Sequence, residues 1–446
     1  MYYYYYCIHI YKMEISYDYD IIIIGGGISG IYTAYQINKL HPEKKVLLIE
    51  KDSYLGGRVY TYHDKHIQVE AGAGRFSNDH SLLLQLIDDL HLSKHVYPTS
   101  GAVYFPTDRA VALETDQDDW TTGFQKILVA SRSESKQTLI HHSLLSYART
   151  ILDEKEIQTI LDSFGYYSEL TIMNAYDAIR LIQVLRKSKS FSFLKGGLSQ
   201  IINQMVEVLC KNPNITLWTR KEVVQLVSMG YNNGFRVRLR RSSSGKTKKK
   251  HTGDRDIEYT CHSCVCALPR QCLEKLAIFK PVSGLLQSVE YGSLCRIYCQ
   301  FAGDKDGKQW FQDLPKITTN NRLRMMIPIN TEKGIIMFSY TDNKYADYWK
   351  KLYDKKGYRG VVREHRILGE QTTGIPIPMP IYTKMFYWKY GVGYWAIGAD
   401  SADVSKRMIR PFSDQNLFVC GENYSEKYQQ WIEGALDTSR QVVALL

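Results

Sequence analysis

The segment that most restricts the fold is Tyr17–Asp52, YDYDIIIIGGGISGIYTAYQINKLHPEKKVLLIEKD. Asp20–Ile24 is a short run of β-branched residues that closes at once on glycine, the pattern of a strand buried on both faces of a parallel sheet. Gly25, Gly27 and Gly30 then fit G-x-G-x-x-G. The first glycine permits the tight turn, the second lets backbone approach a pyrophosphate, and the third lets a helix pack on the strand. Ile31–Leu40 predicts that helix, whose N-terminus offers free N–H groups and a positive dipole end to phosphate. A second strand, Val46–Ile49, ends in Glu50, twenty residues past Gly30, where a carboxylate can accept hydrogen bonds from ribose hydroxyls. Strand, glycine turn, helix, strand and acid in this order predict a Rossmann-like dinucleotide-binding α/β fold.

At 446 residues the chain is too long for one small domain, and its 44% hydrophobic content can bury a substantial core. The net charge of +11 raises the question of anionic partners. Much of the excess sits in 236–255, RVRLRRSSSGKTKKKHTGDR, where no aromatic residue interleaves the charges. That composition predicts a solvated loop joining two strands, and the expectation is against nucleic-acid binding. Of nine cysteines, Cys261, Cys264 and Cys266 alternate as in a buried strand, with no second CxxC or His pair beside them. They are expected to be core thiols, with no metal, in a reducing, cytoplasmic setting. No apolar stretch is long enough for a transmembrane helix. Residues 1–16 lack the features of a signal peptide and are expected to be a disordered extension.

After Glu50 comes KDSYLGGRVYTYH, and here the chain resembles the flavin-containing amine oxidase superfamily, which includes monoamine, polyamine and L-amino acid oxidases. Gly56, Gly57, Arg58 and Thr61 match its GGR-xxT pattern. Paired glycines let the chain pass close to a cofactor, and Arg58 brings a cation that cannot lose its proton to the second phosphate. Phe193-Leu-Lys-Gly-Gly197, Ile215–Leu226 with Val223, and Val265-Cys-Ala-Leu-Pro269 resemble further family segments. So does LFVCGENYSEKYQQWIEGALDTSRQVV near the C-terminus. The resemblance implies FAD. Val223 lies on the strand whose backbone meets adenine, Glu422 holds the ribityl–phosphate region, and Ile432 opens the helix aimed at the flavin ring. A cysteine that carries flavin covalently in some relatives is replaced by Tyr394, so the FAD is expected to be non-covalent.

The implied fold is α/β: a Rossmann-like FAD domain of the GR2 type with a parallel sheet, and a discontinuous α+β substrate domain with a mixed sheet and a helical part. The FAD domain is expected in three pieces, 17–75, 193–270 and 400–446. A helical subdomain is expected at 76–192 and the substrate-side sheet at 271–399, with strands at RIYCQF and GIIMFSY.

On the substrate side the resemblance places Trp431 and Trp395 as two aromatic walls that steer an amine and exclude water. Arg75, in VEAGAGRFSNDH, matches the arginine that clamps a substrate carboxylate in the L-amino acid oxidase branch. The family lysine that holds a water near the flavin is replaced by Arg296, and the tyrosine that helps hold the carboxylate falls at Met326 or Ile327. The implied reaction is hydride transfer from the amine-bearing carbon of an L-amino acid or related amine to flavin. Imine release and hydrolysis follow, and O2 reoxidises the flavin to give H2O2. A polyamine or monoamine oxidase with no carboxylate requirement, or a catalytically weak FAD-binding interaction protein, stands as the alternative. The oligomeric state is left open, a homodimer among the options.

Overall fold

The computed structural model of the protein describes residues 16–99, 102–105, 120–187, 190–231, 233–241 and 256–446. The expected N-terminal extension lies outside them except for Ser16, and so does the basic stretch 242–255. The strands on either side of that stretch, Phe235–Arg241 and Ile257–Cys266, pair antiparallel.

The first sheet runs in the order Lys221–Ser228, Phe235–Arg241, Ile257–Cys266, Tyr19–Ile24, Val46–Ile49, Ile215–Trp218. Leu417–Val419 adds to the C-terminal half of Ile257–Cys266. Pairings among Tyr19–Ile24, Val46–Ile49, Ile215–Trp218, Ile257–Cys266 and Leu417–Val419 are parallel. The apolar run at Ile21–Ile24 is needed because both faces are covered. Ile22 and Ile24 enter one core with Leu47 and Ile49, while Ile21 and Ile23 enter another with Val46 and Leu48. The second core is closed by helices Ile28–Leu40, Ser199–Leu209 and Ile432–Val443, through Ile31, Ile201 and Leu436. The first helix begins three residues earlier than the sequence suggests, with Gly27 itself at the N-cap.

Other expectations need correction. Ile215–Leu226 is two strands: the chain turns at Arg220 (φ +57°), so Ile215–Trp218 stays parallel to Val46–Ile49 while Lys221–Ser228 runs antiparallel to Phe235–Arg241. The region 76–192 holds helices at Ser81–Asp89, Trp120–Ser131, Glu154–Ser163 and Ala175–Lys187, but also strands at Phe76–Ser77, Val96–Pro98 and Ala102–Phe105. Glu154–Ser163 starts where its sequence says it should, with Asp153 and Glu156 forming a reciprocal capping box.

The second sheet is mixed, in the order Tyr382–Trp395, Val289–Gln300, Ile335–Asp342, Met325–Asn330, Lys316–Thr319, Ala102–Phe105. Only its last pairing is parallel. Both RIYCQF and GIIMFSY contribute to it, but the same region also carries a 31-residue helix, Asn343–Thr373, broken at Gly357. Residues paired in register share a face of a sheet. One face therefore carries a row that crosses five strands: Phe386, Arg296, Tyr340, Met325, Thr318.

Cys261, Cys264 and Cys266 are fully buried free thiols on the strand Ile257–Cys266. Burial pushes the Cys264 thiol well above its usual range, so it stays protonated. Among the described residues no group of three His, Cys, Asp or Glu could hold a metal, and no helix is long and apolar enough to cross a membrane.

Candidate active site

The glycines at the C-terminal end of Tyr19–Ile24 divide into two kinds. Gly25 (φ +109°) and Gly30 are sterically obligatory: a Cβ would lie 2.3 Å from the Ala267 carbonyl oxygen at the first and 2.0 Å from the Gly25 carbonyl oxygen at the second. Gly27 is different, because a Cβ there meets nothing within 4 Å. Open space faces this backbone at the start of helix Ile28–Leu40, where free N–H groups favour an anion. Gly57 (φ +59°) passes above it, and its Cβ would be 3.2 Å from the Gly27 Cα.

Glu50 secures this loop. One carboxylate oxygen accepts the Gly26 N–H at 2.7 Å and the other accepts the Asp52 N–H at 2.8 Å. Its own carbonyl accepts the Lys221 N–H at 2.9 Å, which draws the half-buried Val223 strand to the same edge. Arg58 Nη1 lies 2.7 Å from Glu422 Oε1 and also donates to the Gly391 carbonyl at 3.1 Å. Burial works against the Arg58 charge, but the Glu422 carboxylate outweighs it and the pKa rises. Glu422 further accepts the Asn423 side-chain amide and the Gln430 backbone N–H, at 2.6 and 2.9 Å. Gln430 (φ +77°) turns the chain into Trp431, the N-cap residue of Ile432–Val443. Ile432 is buried as the first residue of that helix.

Open backbone at Gly27, the Glu50 carboxylate and the Glu422-paired Arg58 thus gather around one glycine turn. These residues fit a dinucleotide of the FAD type.

Beyond that edge, Trp431 packs edge-on to His80 at 5.0 Å and stacks on Phe191 at 5.9 Å. The Arg75 guanidinium sits 4.6 Å from the centre of the same Phe191 ring, and its Nη2 donates to Tyr166 Oη at 3.1 Å. Among the described residues no carboxylate lies within ion-pair distance of Arg75. Glu169 is near enough to feel it, but burial, then Asp342, push the Glu169 carboxyl up to about 8. Arg296 is 7% exposed, donates to the Glu70 carbonyl at 3.0 Å and lies 4.7 Å from the centre of the Tyr340 ring. A Cβ on Gly74 would be 3.0 Å from its Nη1, so Arg75 and Arg296 flank one turn.

The structure separates the two tryptophans. Trp431 keeps exposed surface and adjoins Phe191, which joins it to Arg75. Trp395 corrects the sequence reading: it is 0% exposed and packs in the core with Tyr394, Val289 and Leu286. A ring with no free face cannot form a wall of the substrate site, and Tyr394 beside it is 2% exposed. Met326 is likewise sealed in a core below the second sheet. The phenol that lies beside Arg75 belongs instead to Tyr166. No motif marks Tyr166, Phe191 or Glu169; their relation to Arg75 and Trp431 exists only in three dimensions.

Fold and cleft together define a flavoprotein with a Rossmann-like cofactor domain. The sequence profile of the flavin-containing amine oxidoreductases matches residues 28–446, and the chain belongs to that family. It is an FAD-dependent oxidoreductase of amines. Among curated proteins it is 22% identical to a protein of Acanthamoeba polyphaga mimivirus, over 94% of this chain and 92% of that one. It is also 22% identical to an L-amino-acid oxidase of Siganus canaliculatus, over 72% of this chain and 65% of that protein. Among solved structures, a redesigned putrescine oxidase superposes with a TM-score of 0.73 at 14% identity, covering 96% of this chain and 98% of that one. Cyclohexylamine oxidase from Brevibacterium oxydans gives 0.70 at 15% identity, with the same coverage.

Proposed function

We propose that the protein oxidises amines that carry a carboxylate, with L-amino acids as the substrate class. The observation that carries this reading is Arg75: a guanidinium held by a phenol and an aromatic face, with no carboxylate paired to it among the described residues. A planar fork of this kind suits bidentate binding of a substrate carboxylate. Glu169, protonated at neutral pH, leaves that charge uncancelled. The resemblance to an L-amino-acid oxidase points the same way.

When bound, FAD supplies the two-electron acceptor for the hydride on the amine-bearing carbon. Arg75 fixes the carboxylate end of the substrate and Trp431 lends an aromatic face that orients the amine and keeps water out. Arg296, where the family has lysine, keeps a positive charge beside the 70–74 turn. Gly27, Glu50, Gly57, Arg58, Val223, Glu422 and Ile432 hold the cofactor non-covalently. The imine product leaves and hydrolyses, and O2 returns as H2O2.

The test is Arg75→Ala, assayed by peroxide release with L-amino acids and their decarboxylated amines at constant FAD content. Loss of one partner from a buried charge pair costs about 2–5 kcal/mol, so kcat/KM for the amino acid should fall about 30-fold or more while the amine is spared. Equal losses on both would assign Arg75 to the flavin or the fold. Turnover of amines alone by the unmodified enzyme would move the reading to a polyamine or monoamine oxidase.

A further inference from the structure

Among the described residues Lys316, like Arg75, has no acidic partner, and it lies on the sheet face that carries Arg296 and Tyr340. Alternate residues of a strand share a face, so Lys316 lies on the same side as Thr318, the last member of the row through Met325, Tyr340 and Arg296. The Thr318 methyl would lie 3.5 Å from a Cβ on Gly165, the residue before Tyr166, and Tyr166 holds Arg75. Lys316 is half-buried, and its side chain has no ion pair or hydrogen bond among the described residues. Burial first, then the Arg75 charge, bring its pKa down to about 7. Two cations that feel each other, with no anion between them among the described residues, form a costly arrangement that an anionic ligand relieves.

Resting on the assignment of Arg75 as the carboxylate clamp, we propose that Lys316 recognises a second anionic group at the far end of the substrate, so that L-amino acids with acidic side chains are preferred. The α-carboxylate neutralises Arg75, which removes the repulsion on Lys316. The amine then takes up a proton and pairs with the distal carboxylate. Among the described residues, the other titratable or charged groups around Arg75 and this face include Tyr166, Glu169, Glu70, Arg296, Tyr298, Tyr340 and Lys384. Burial keeps the Tyr166 phenol above its ordinary range, and the Tyr298 and Tyr340 phenols help keep Arg296 charged against the pull of burial, so neither group competes for this proton.

The experiment uses the holoenzyme and compares L-glutamate, L-glutamine and L-norleucine with the unmodified protein, Lys316→Met and Lys316→Arg, each checked for equal FAD content. Lys316→Met should lower kcat/KM for glutamate about tenfold or more and leave the other two within about twofold, and Lys316→Arg should retain glutamate turnover. Calorimetric titration with glutarate, which cannot be oxidised as an amine, supplies a readout free of turnover. Run in buffers of different ionisation heat at about pH 8, it should show proton uptake by the unmodified protein and not by Lys316→Met. A preference for norleucine over glutamate, equal losses on all three substrates, or absence of the proton uptake would overturn the role of Lys316 while leaving an amino acid oxidase standing. Activity on amines without any carboxylate, and none on the three amino acids, would remove the Arg75 clamp as well.

Discussion

Arg58 Nη1 and Glu422 Oε1 meet at 2.7 Å, although nearly the whole chain separates them. The pair fastens the turn after the second parallel strand to the turn after the last one. Arg58 is about a third exposed and Glu422 much less so, which tempers the strength of the contact. Glu422→Ala should destabilise the apoprotein by about 1–3 kcal/mol and weaken FAD binding, because the Gln430 N–H loses its acceptor along with Arg58. A double-mutant cycle with Arg58→Ala, read by denaturant unfolding, should show clear non-additivity. Simple addition of the two losses would mean that the pair does not couple the segments.

The glycine turn offers a sharper separation. Gly27→Ala has room for its Cβ within the protein. The stripped apoprotein should therefore unfold within about 0.5 kcal/mol of the parent, while FAD affinity falls by about tenfold or more as the methyl enters the phosphate path. Gly25→Ala combines positive φ with a 2.3 Å approach to a carbonyl oxygen and should cost about 2 kcal/mol or more before any cofactor is added. The apoprotein must be compared, since bound FAD adds its own stabilisation. Parallel behaviour of the two variants would refute the open cradle.

The two tryptophans should part company in the same way. Trp395→Ala empties a sealed core position and should cost about 3–5 kcal/mol in unfolding free energy. Trp431→Ala removes a half-buried ring and should cost about 1–2 kcal/mol, with the main effect on kcat/KM. If Trp431→Ala leaves kcat/KM unchanged, the ring does not face the substrate.

His365 gives a pH signature. It lies 4.3 Å from Trp349 and 5.0 Å from Phe338 in stacked geometry, and burial brings its pKa from 6.5 down to about 4. Between those values the unfolded chain binds the proton and the folded chain does not, so this group's contribution is lost as pH falls through the window, by up to about 1.4 kcal/mol per pH unit. His365→Phe keeps the stack and removes an unpartnered buried nitrogen. The unmodified protein should therefore lose more stability than the variant between about pH 6.5 and 4, as measured by chemical denaturation across that range. Parallel curves would place the titration elsewhere.

The cofactor half of the protein was legible in the sequence because its requirements are local. A strand covered on both faces must be apolar at every position, and Ile21–Ile24 are. A turn with φ +109° against a carbonyl excludes any side chain at Gly25, and the helix it launches begins within three residues. Such demands fall on neighbouring residues and leave a readable pattern. The substrate half obeys no such pattern, because its neighbours come from remote segments. Trp395 and Trp431 look alike in one dimension, yet one is sealed by the core beneath its strand and the other caps a helix at the cleft. The phenol beside Arg75 comes from Tyr166, and Lys316 reaches the same face only because strand pairing in the second sheet carries it there. Backbone sterics wrote the first half into the sequence; the alignment of distant strands decided the second.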